Sequence, residues 1–201
     1  MKEKLKFLKL LNQFRTLDYE LQYIKEVLKE GHLEFEEYYR VWCAENDVDL
    51  AELNKQNQKK IETVFQKIES SELSTQVIQK LEANKREFKK IFKEIAKKLH
   101  PDKLDNDDPR KWEYSEAFKK AMSARSEAKW GELFDIVDKY EIWIGEYDEA
   151  IESLREDIGR VDMEIKREKS TYSWLLQEAE TEADKELVVK AFLKQLFGWK
   201  G

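Results

Sequence analysis

The residues of this sequence that could carry chemistry stand in one tripeptide, His100-Pro101-Asp102, in which an imidazole and a carboxylate flank a proline. Such groups either transfer protons or recognise a partner through hydrogen bonds and charge. Nucleophilic catalysis needs a nucleophile beside a base, and no second histidine, cysteine or serine constellation completes one, because the other histidine, His32, is distant in sequence. Proline stiffens the turn that holds both groups. We therefore interpret the tripeptide as a recognition site, and predict no catalytic residue, no cofactor and no metal.

The segment before the tripeptide combines an apolar face with dense positive charge. From residue 85 to residue 103, eight Lys or Arg stand against three Asp or Glu, although the whole chain has a net charge of -6. The spacing of the apolar residues is that of one helical face. They are Phe88, Ile91, Phe92, Ile95 and Leu99. A positive helix surface in an acidic chain favours contact with an acidic partner, although a solvated helix face would have the same composition.

A second helix is expected after the tripeptide. Pro101 ends the first helix, because proline disfavours helical geometry in the residue before it. After a polar loop, Asp108 is a suitable N-cap and Pro109 suits the first helical position. The side chains predicted to face inward are Tyr114, Phe118, Ala121, Met122 and Ala124. The pattern is that of two helices joined by a stiff, exposed turn.

This arrangement resembles the J-domain (DnaJ-like) family over roughly Lys85 to Leu133. The common features are a basic amphipathic helix, His-Pro-Asp followed by Lys, a short loop and a helix with an apolar face. Two features depart from the family: residues 75–87 lack its Leu-Gly turn, and Arg125 stands where an aromatic is usual. The resemblance implies a non-enzymatic co-chaperone that binds a DnaK-type chaperone ATPase and stimulates its ATP hydrolysis. It implies that the contact residues are His100, Pro101, Asp102 and Lys103, with Lys89, Lys93 and Lys97 on the helix.

Heptad-like apolar spacing on both sides of this core predicts long helices. The N-terminal series is Phe7, Leu10, Phe14, Leu17, Leu21, Ile24, Leu28, Phe35, Tyr38 and Trp42. It should end near Glu45, and Asp49 with Glu52 should begin a second helix that folds back. A further series from Leu133 to Ile165 predicts another long helix, which pairs with the N-terminal one or with another copy of the chain. Thr181 with Asp184 is expected to cap a last helix that bears Val188, Phe192, Leu196 and Trp199.

The predicted fold is all-α, with long coiled-coil helices flanking a J-domain-like antiparallel helical hairpin. We assign residues 1–70 to an N-terminal helical hairpin or coiled coil, 71–132 to the J-domain-like core, and 133–201 to a C-terminal coiled-coil helix and a terminal helix. The composition agrees, since 40% of residues are charged and the chain has only 2 Pro and 6 Gly. The tryptophans expected to pack inside are Trp112, Trp130, Trp143, Trp174 and Trp199.

Composition also bounds location and partners. A single cysteine, Cys43, excludes an internal disulfide framework and predicts a cytoplasmic protein in a reducing compartment. No apolar run is long enough to span a bilayer. The negative net charge, and the lack of aromatics among the exposed basic residues, argue against nucleic acid as a partner. Two functions remain: a co-chaperone whose coiled-coil arms bind a client or partner, and a structural coiled-coil adaptor, including a self-associating one, whose J-like turn has lost its partner.

Overall fold

A computed structural model describes residues 2–55, 89–105, 107–142, 145 and 147–200. These ranges contain helices and no strand, which confirms the predicted all-α class. The helices are α1 (Lys2–Glu45), α2 (50–55), α3 (89–99), α4 (Lys111–Ser126), α5 (Trp130–Lys139), α6 (Tyr147–Lys169), α7 (Tyr172–Glu178) and α8 (Glu182–Phe197), with a 3-10 turn at Pro101–Lys103. None of the described helices carries an apolar stretch that could cross a membrane.

The chain forms two compact units. The first comprises Met1–Tyr19 and Leu73–Met163, and the second comprises Glu20–Glu72 and Glu164–Gly201. Both α1 and α6 contribute residues to each unit. The division into segments 1–70, 71–132 and 133–201 stays a prediction; its first boundary lies outside the described residues, and its second falls inside α5.

Helix α1 follows the predicted apolar seam and passes through Gly31 without a break. Its buried side chains are Phe7, Leu11, Phe14, Leu21, Ile24, Leu28, Phe35, Trp42 and Cys43. One detail of the seam differs from the prediction, because Leu11 is fully buried whereas Leu10 and Leu17 are only partly covered. Successive residues of a helix point 100° apart, so only one of two neighbouring apolar residues, here Leu10 and Leu11, can face the packing partner directly.

Within the second unit a tight turn follows the end of α1. The Val48 amide donates to the Cys43 carbonyl at 2.9 Å, and the Asp49 carboxylate accepts from the backbone N–H of Ala51 and Glu52, as the predicted cap requires. Leu50 then packs against the end of α1. The cluster at this point comprises Trp42, Cys43, Val189, Leu193 and Phe197. Cys43 is thus an ordinary core residue.

Within the second unit α1 pairs with the C-terminal part of the same chain. Lys25 Nζ lies 2.6 Å from Glu164 Oε1, and further along α1 Tyr38 donates to Glu182 Oε2 at 3.0 Å. The later residue of α1, Tyr38, contacts the later residue of the C-terminal part, Glu182. The chain from Lys25 to Tyr38 and the chain from Glu164 to Glu182 therefore run in the same direction. At the start of α8 Thr181 accepts from the Asp184 amide and Asp184 accepts in return, which confirms the predicted cap.

The predicted helix from Leu133 to Ile165 is wrong as a single element. Helix α5 ends at Lys139, where Glu141 adopts a left-handed conformation with φ 49° and the Ile142 amide bonds to the Val137 carbonyl at 2.8 Å. Helix α6 begins at Tyr147. The predicted apolar series crossed the break in steps of four and three, through Tyr140, Ile144 and Tyr147, so the spacing could not reveal it.

In the first unit, α5 packs directly on the start of α1. The aromatic ring of Phe14 lies against Gly131, where a side-chain carbon would find no room. Beside it, Arg15 binds two carboxylates of α5, with Nε 2.6 Å from Asp135 Oδ1 and Nη2 2.9 Å from Asp138 Oδ2. Aromatic packing and a forked ion pair thus fix α5 on α1.

Several side chains predicted to face inward are exposed. Met122 on α4 is 54% exposed, because the buried positions of that helix are the alanines Ala117, Ala121 and Ala124. Trp112 is 76% exposed, so its prediction as a packing residue is wrong. Leu196 on α8 is 46% exposed, since the buried face is shifted to its neighbours. The shift of one residue changes the direction of a helical side chain by 100°.

Some predictions lie outside the described residues. They concern the second-helix stripe Ile61, Val64 and Ile68, the break near Ser70 and Ser71, the helix start near Ser74, the basic Arg86, the apolar Phe88, the family departure in residues 75–87, Trp143 and Ile144.

Candidate functional site

Helix α3 ends at the residue the sequence indicated. The His100 amide still donates to the Ala96 carbonyl at 3.2 Å, but the His100 backbone turns to an extended conformation with φ -62° and ψ 126°. That conformation is the one a following proline favours, because the Pro101 ring crowds a helical predecessor. Pro101 itself lacks an N–H and occupies the first position of the next turn, where no donor is needed.

The turn is held by three short-range hydrogen bonds. Lys103 N–H donates to the His100 carbonyl at 3.0 Å, Leu104 N–H donates to the Pro101 carbonyl at 3.4 Å, and Asp102 N–H donates to His100 Nδ1 at 3.3 Å. The side chains nevertheless reach solvent, with 40% of the His100 side chain and 87% of the Asp102 side chain exposed. A rigid backbone therefore presents an imidazole and a carboxylate outward.

Aromatic rings support the turn from below. The His100 and Phe118 ring centroids are 5.0 Å apart in an edge contact, and Phe118 lies 5.6 Å from Phe92 on α3. The guanidinium of Arg125 lies 4.7 Å from the centre of the Phe92 ring. Phe92, in the first half of α3, contacts Arg125 near the end of α4, whereas His100, just after α3, contacts Phe118 earlier in α4. The two helices therefore run in opposite directions. The Arg125 guanidinium thus makes a cation–π contact with Phe92, the ring that packs on Phe118.

The lysines on the exposed face of α3 differ in their surroundings. Lys89, Lys93 and Lys97 follow one another at intervals of four residues and are exposed, so they form one stripe along the helix. Lys97 Nζ lies 2.5 Å from Glu94 Oε1, whereas no acidic partner of Lys89 or Lys93 lies among the described residues. At 1.5 Å per residue, Lys93 and Lys89 lie about 10 and 16 Å behind His100. The two lysines of the stripe that have no acidic partner among the described residues are thus the two farther from the turn.

Two further lysines are used within the chain. Lys98 Nζ binds the backbone carbonyl of Tyr140, with the Glu141 carbonyl at 3.5 Å, and so caps the end of α5. Lys103 Nζ donates to the Lys97 carbonyl at 2.7 Å, which caps the end of α3. Lys103 therefore both belongs to the turn and fixes it to the preceding helix.

An acidic loop follows the turn. Asp108 accepts from the Arg110 backbone N–H at 2.8 Å and pairs with the Arg110 guanidinium, Oδ2 to Nη2 2.8 Å. These hydrogen bonds lower the pKa of Asp108 to about 2. Asp108 caps a turn, whereas α4 itself begins two residues after Pro109, at Lys111. The prediction that Pro109 opens the helix is therefore wrong, because the side-chain pairing of Asp108 with Arg110 first closes a non-helical turn.

The arrangement is suited to recognition. The structure brings His100, Pro101, Asp102 and Lys103 into one turn and places Lys97, Lys93 and Lys89 on the helix behind it. A donor, a carboxylate acceptor and a cationic stripe lie along one edge of the first unit. Among the described residues, no group of three or more His, Cys, Asp or Glu side chains could hold a metal ion.

Sequence reasoning missed two aspects of this site. It did not distinguish Lys89 and Lys93, which have no acidic partner in the described part of the chain, from Lys98 and Lys103, which bind backbone carbonyls of helix ends. It assigned Phe118 to the inner face, but no local signal indicated that its ring contacts His100. The one local signal was the position of Lys103, directly after the tripeptide. A lysine near the C-terminal end of a helix often binds the last carbonyls of that helix.

Comparisons of this chain with protein-family models, with curated proteins and with solved structures find no match.

Proposed function

We propose that this chain is a J-domain co-chaperone that engages a DnaK-type chaperone ATPase through the turn at His100-Pro101-Asp102 and stimulates ATP hydrolysis. The observation that carries the proposal is the exposed imidazole and carboxylate on a proline turn, at the end of a lysine-bearing helix that packs antiparallel on α4. The resemblance of residues 85–133 to the J-domain family supplies the partner class.

The inner faces of α3 and α4 support this proposal because they explain how the turn is kept in place. Ile95 and Leu99 are fully buried, and so are Ala121 and Ala124 on α4. Small residues on one helix allow its partner to approach closely. The packing leaves the side chains of His100 and Asp102 exposed at the end of α3.

The charges support a docking role for the helix. An acidic surface on the partner would be attracted by Lys89 and Lys93, which lack acidic partners among the described residues. Opposite charges raise association rates more than they raise final affinity, and salt screens the effect. The tripeptide would then provide the specific contact.

The test is steady-state ATP turnover by a DnaK-type ATPase from the same source. We expect the wild-type chain to stimulate turnover, and Asp102→Asn and His100→Gln to abolish the stimulation. Asp107→Asn is the matched control, since Asp107 is also exposed, carries the same charge change and lies outside the tripeptide. Circular dichroism should show unchanged helix content in all three variants.

Two results would contradict the proposal at different levels. If the folded wild-type chain leaves turnover unchanged with a matched ATPase, the co-chaperone function is wrong. If Asp102→Asn stimulates as well as Asp107→Asn does, the function can stand but the tripeptide is not the contact site.

A second candidate function, a structural coiled-coil adaptor, is favoured by exposed apolar side chains on the second-unit part of α1. Tyr23, Leu33 and Val41 are 65%, 70% and 51% exposed. A contiguous apolar patch on a protein surface often marks a contact with another protein. Analytical ultracentrifugation tests this candidate: self-association that Leu33→Lys removes would support it, and a monomeric mass at high concentration would exclude self-association.

A further inference from the structure

We propose that Phe118 is a positioning residue that holds the His100 ring in one orientation and one neutral tautomer, so that Nε2–H points outward as the donor offered to the partner. The inference rests on the proposed function for the identity of the partner. The orientation and the tautomer, however, belong to the free chain and can be measured without any partner.

The tautomer follows from the hydrogen bond at Nδ1. The Asp102 backbone N–H donates to His100 Nδ1 at 3.3 Å, so this nitrogen acts as an acceptor and must be unprotonated in the neutral ring. The Asp102 carboxylate does not compete for this position, because its Oδ2 lies 3.6 Å from Nδ1, beyond hydrogen-bond length. The ring proton is therefore on Nε2.

The orientation follows from the contact with Phe118. Half a turn of the imidazole would bring a ring carbon to the Asp102 N–H and leave that donor without its acceptor. The Phe118 ring resists such rotation by meeting the His100 ring edge-on, with centroids 5.0 Å apart. Phe118 is held in turn by Phe92 at 5.6 Å, and Arg125 closes the stack on the other side of Phe92.

The consequence is a defined partner chemistry for His100. With Nδ1 occupied inside the turn, the ring can offer only its Nε2–H, and 40% of the His100 side chain is exposed to receive a ligand. A single N–H donor fits a carbonyl or carboxylate oxygen on the partner. His100 therefore contributes a directed hydrogen bond, and Phe118 contributes by aiming it without touching the partner.

The first experiment is a two-bond 1H–15N correlation spectrum of the imidazoles in the free, full chain at about pH 9, where an imidazole is neutral. The chain has 2 histidines, so His32 serves as an internal reference. We expect the His100 signals to show an unprotonated Nδ1, a protonated Nε2 and ring-current shifts from Phe118. Phe118→Leu should remove the ring-current shifts and average the nitrogen shifts toward a mixture of tautomers.

Two variants control for structural damage. Phe118→Tyr keeps the ring and should keep the wild-type His100 spectrum. Tyr114→Leu removes another ring of α4 that packs on Tyr140 at 5.5 Å, and it should leave His100 unchanged. In the ATP turnover assay, Phe118→Leu should lower stimulation about fivefold, the equivalent of one neutral hydrogen bond.

The outcomes separate this inference from the proposed function. A protonated Nδ1 in the wild type, or a His100 spectrum that Phe118→Leu leaves unchanged, overturns the inference whatever the turnover assay gives. A locked Nε2–H tautomer that depends on Phe118, with no stimulation of the ATPase, supports the positioning role and overturns the proposed function. A spectrum that changes equally in Tyr114→Leu overturns the specific role of Phe118.

Discussion

A methyl group added to Gly131 would collide with the ring of Phe14. An ideal Cβ at this position lies within 3.0 Å of three Phe14 ring carbons, the farthest of which, Cδ2, is only 2.5 Å away. Carbon atoms pack best at about 3.5–4.0 Å, so the overlap is about 1 Å or more at each contact. Phe14 is 4% exposed and the ring has little open space into which it could move.

The magnitude of the effect follows from two opposing terms. Overpacking a filled core costs about 1–3 kcal/mol, and a triple overlap with a buried ring places Gly131→Ala near the upper end of that range. Alanine favours a helix over glycine by about 1 kcal/mol, which offsets part of the cost. We therefore expect Gly131→Ala to lower the free energy of unfolding by about 2 kcal/mol.

The assay is urea unfolding followed by circular dichroism, with Gly159→Ala as the control. Gly159 lies inside α6 with no atom within 4 Å of an added Cβ, and it belongs to the same unit as Gly131. Gly159→Ala should stabilise the chain by about 0.5–1 kcal/mol. Adding Phe14→Leu to Gly131→Ala should cost less than the sum of the single changes, because the smaller side chain makes room for the methyl group. If Gly131→Ala is as stable as Gly159→Ala, the close packing of α5 on α1 is wrong.

Four further predictions concern charged side chains. Asp157 is buried and accepts a backbone N–H at the start of α5 at 2.7 Å, so Asp157→Ala should destabilise the chain by about 1–3 kcal/mol in urea unfolding. Burial raises the pKa of Asp157 above its ordinary 3.8. The contribution of this group to the free energy of unfolding is therefore greatest below pH 3.8 and is lost as the pH rises through the raised pKa. Asp157→Asn should remove this pH dependence of stability, and an unchanged pH profile would contradict the prediction. Hydrogen bonds from Arg110 lower the pKa of Asp108 to about 2, so the stability that this carboxylate gives is present above its ordinary pKa of 3.8 and is lost as the pH falls through about 2. Arg110→Gln should move the NMR titration of Asp108 toward 3.8. An unmoved titration would exclude the pairing of Asp108 with Arg110. In the ATP turnover assay, Lys93→Glu should weaken stimulation more than Lys97→Glu at low salt, with the difference shrinking at high salt; equal effects would show that the ion pair of Lys97 does not matter.

The sequence alone was sufficient for features that depend on residues a few positions apart. Apolar spacing predicted α1 through Gly31, and the Thr181 cap followed from an acidic residue three positions later. The end of α3 at His100 followed from Pro101. These features are local because a helix brings residues three and four apart together, and a proline acts on its immediate neighbour.

Features that depend on distant residues were not accessible in this way. Lys98 binds carbonyls more than forty residues along the chain, and Asp157 binds the N–H of Gly131 although 26 residues separate them. Both satisfy the ends of α5, which has no side-chain cap of its own at Lys129. The break after Lys139 was equally hidden, since Tyr140, Ile144 and Tyr147 continued the apolar spacing across it.

For the candidate site, the sequence by itself determined which groups stand on the turn and that a proline stiffens them. Tertiary structure decided how they are aimed, because the ring of Phe118 comes from a helix that reaches His100 only after α3 and α4 pack. It also decided which lysines bind carbonyls of helix ends, since a cation's partner depends on which helix ends and carboxylates the fold brings near it. Residues close in sequence determine which groups stand on the turn. The orientation of those groups and the ion pairs of the nearby lysines depend on residues that are distant in sequence and are brought close only by packing.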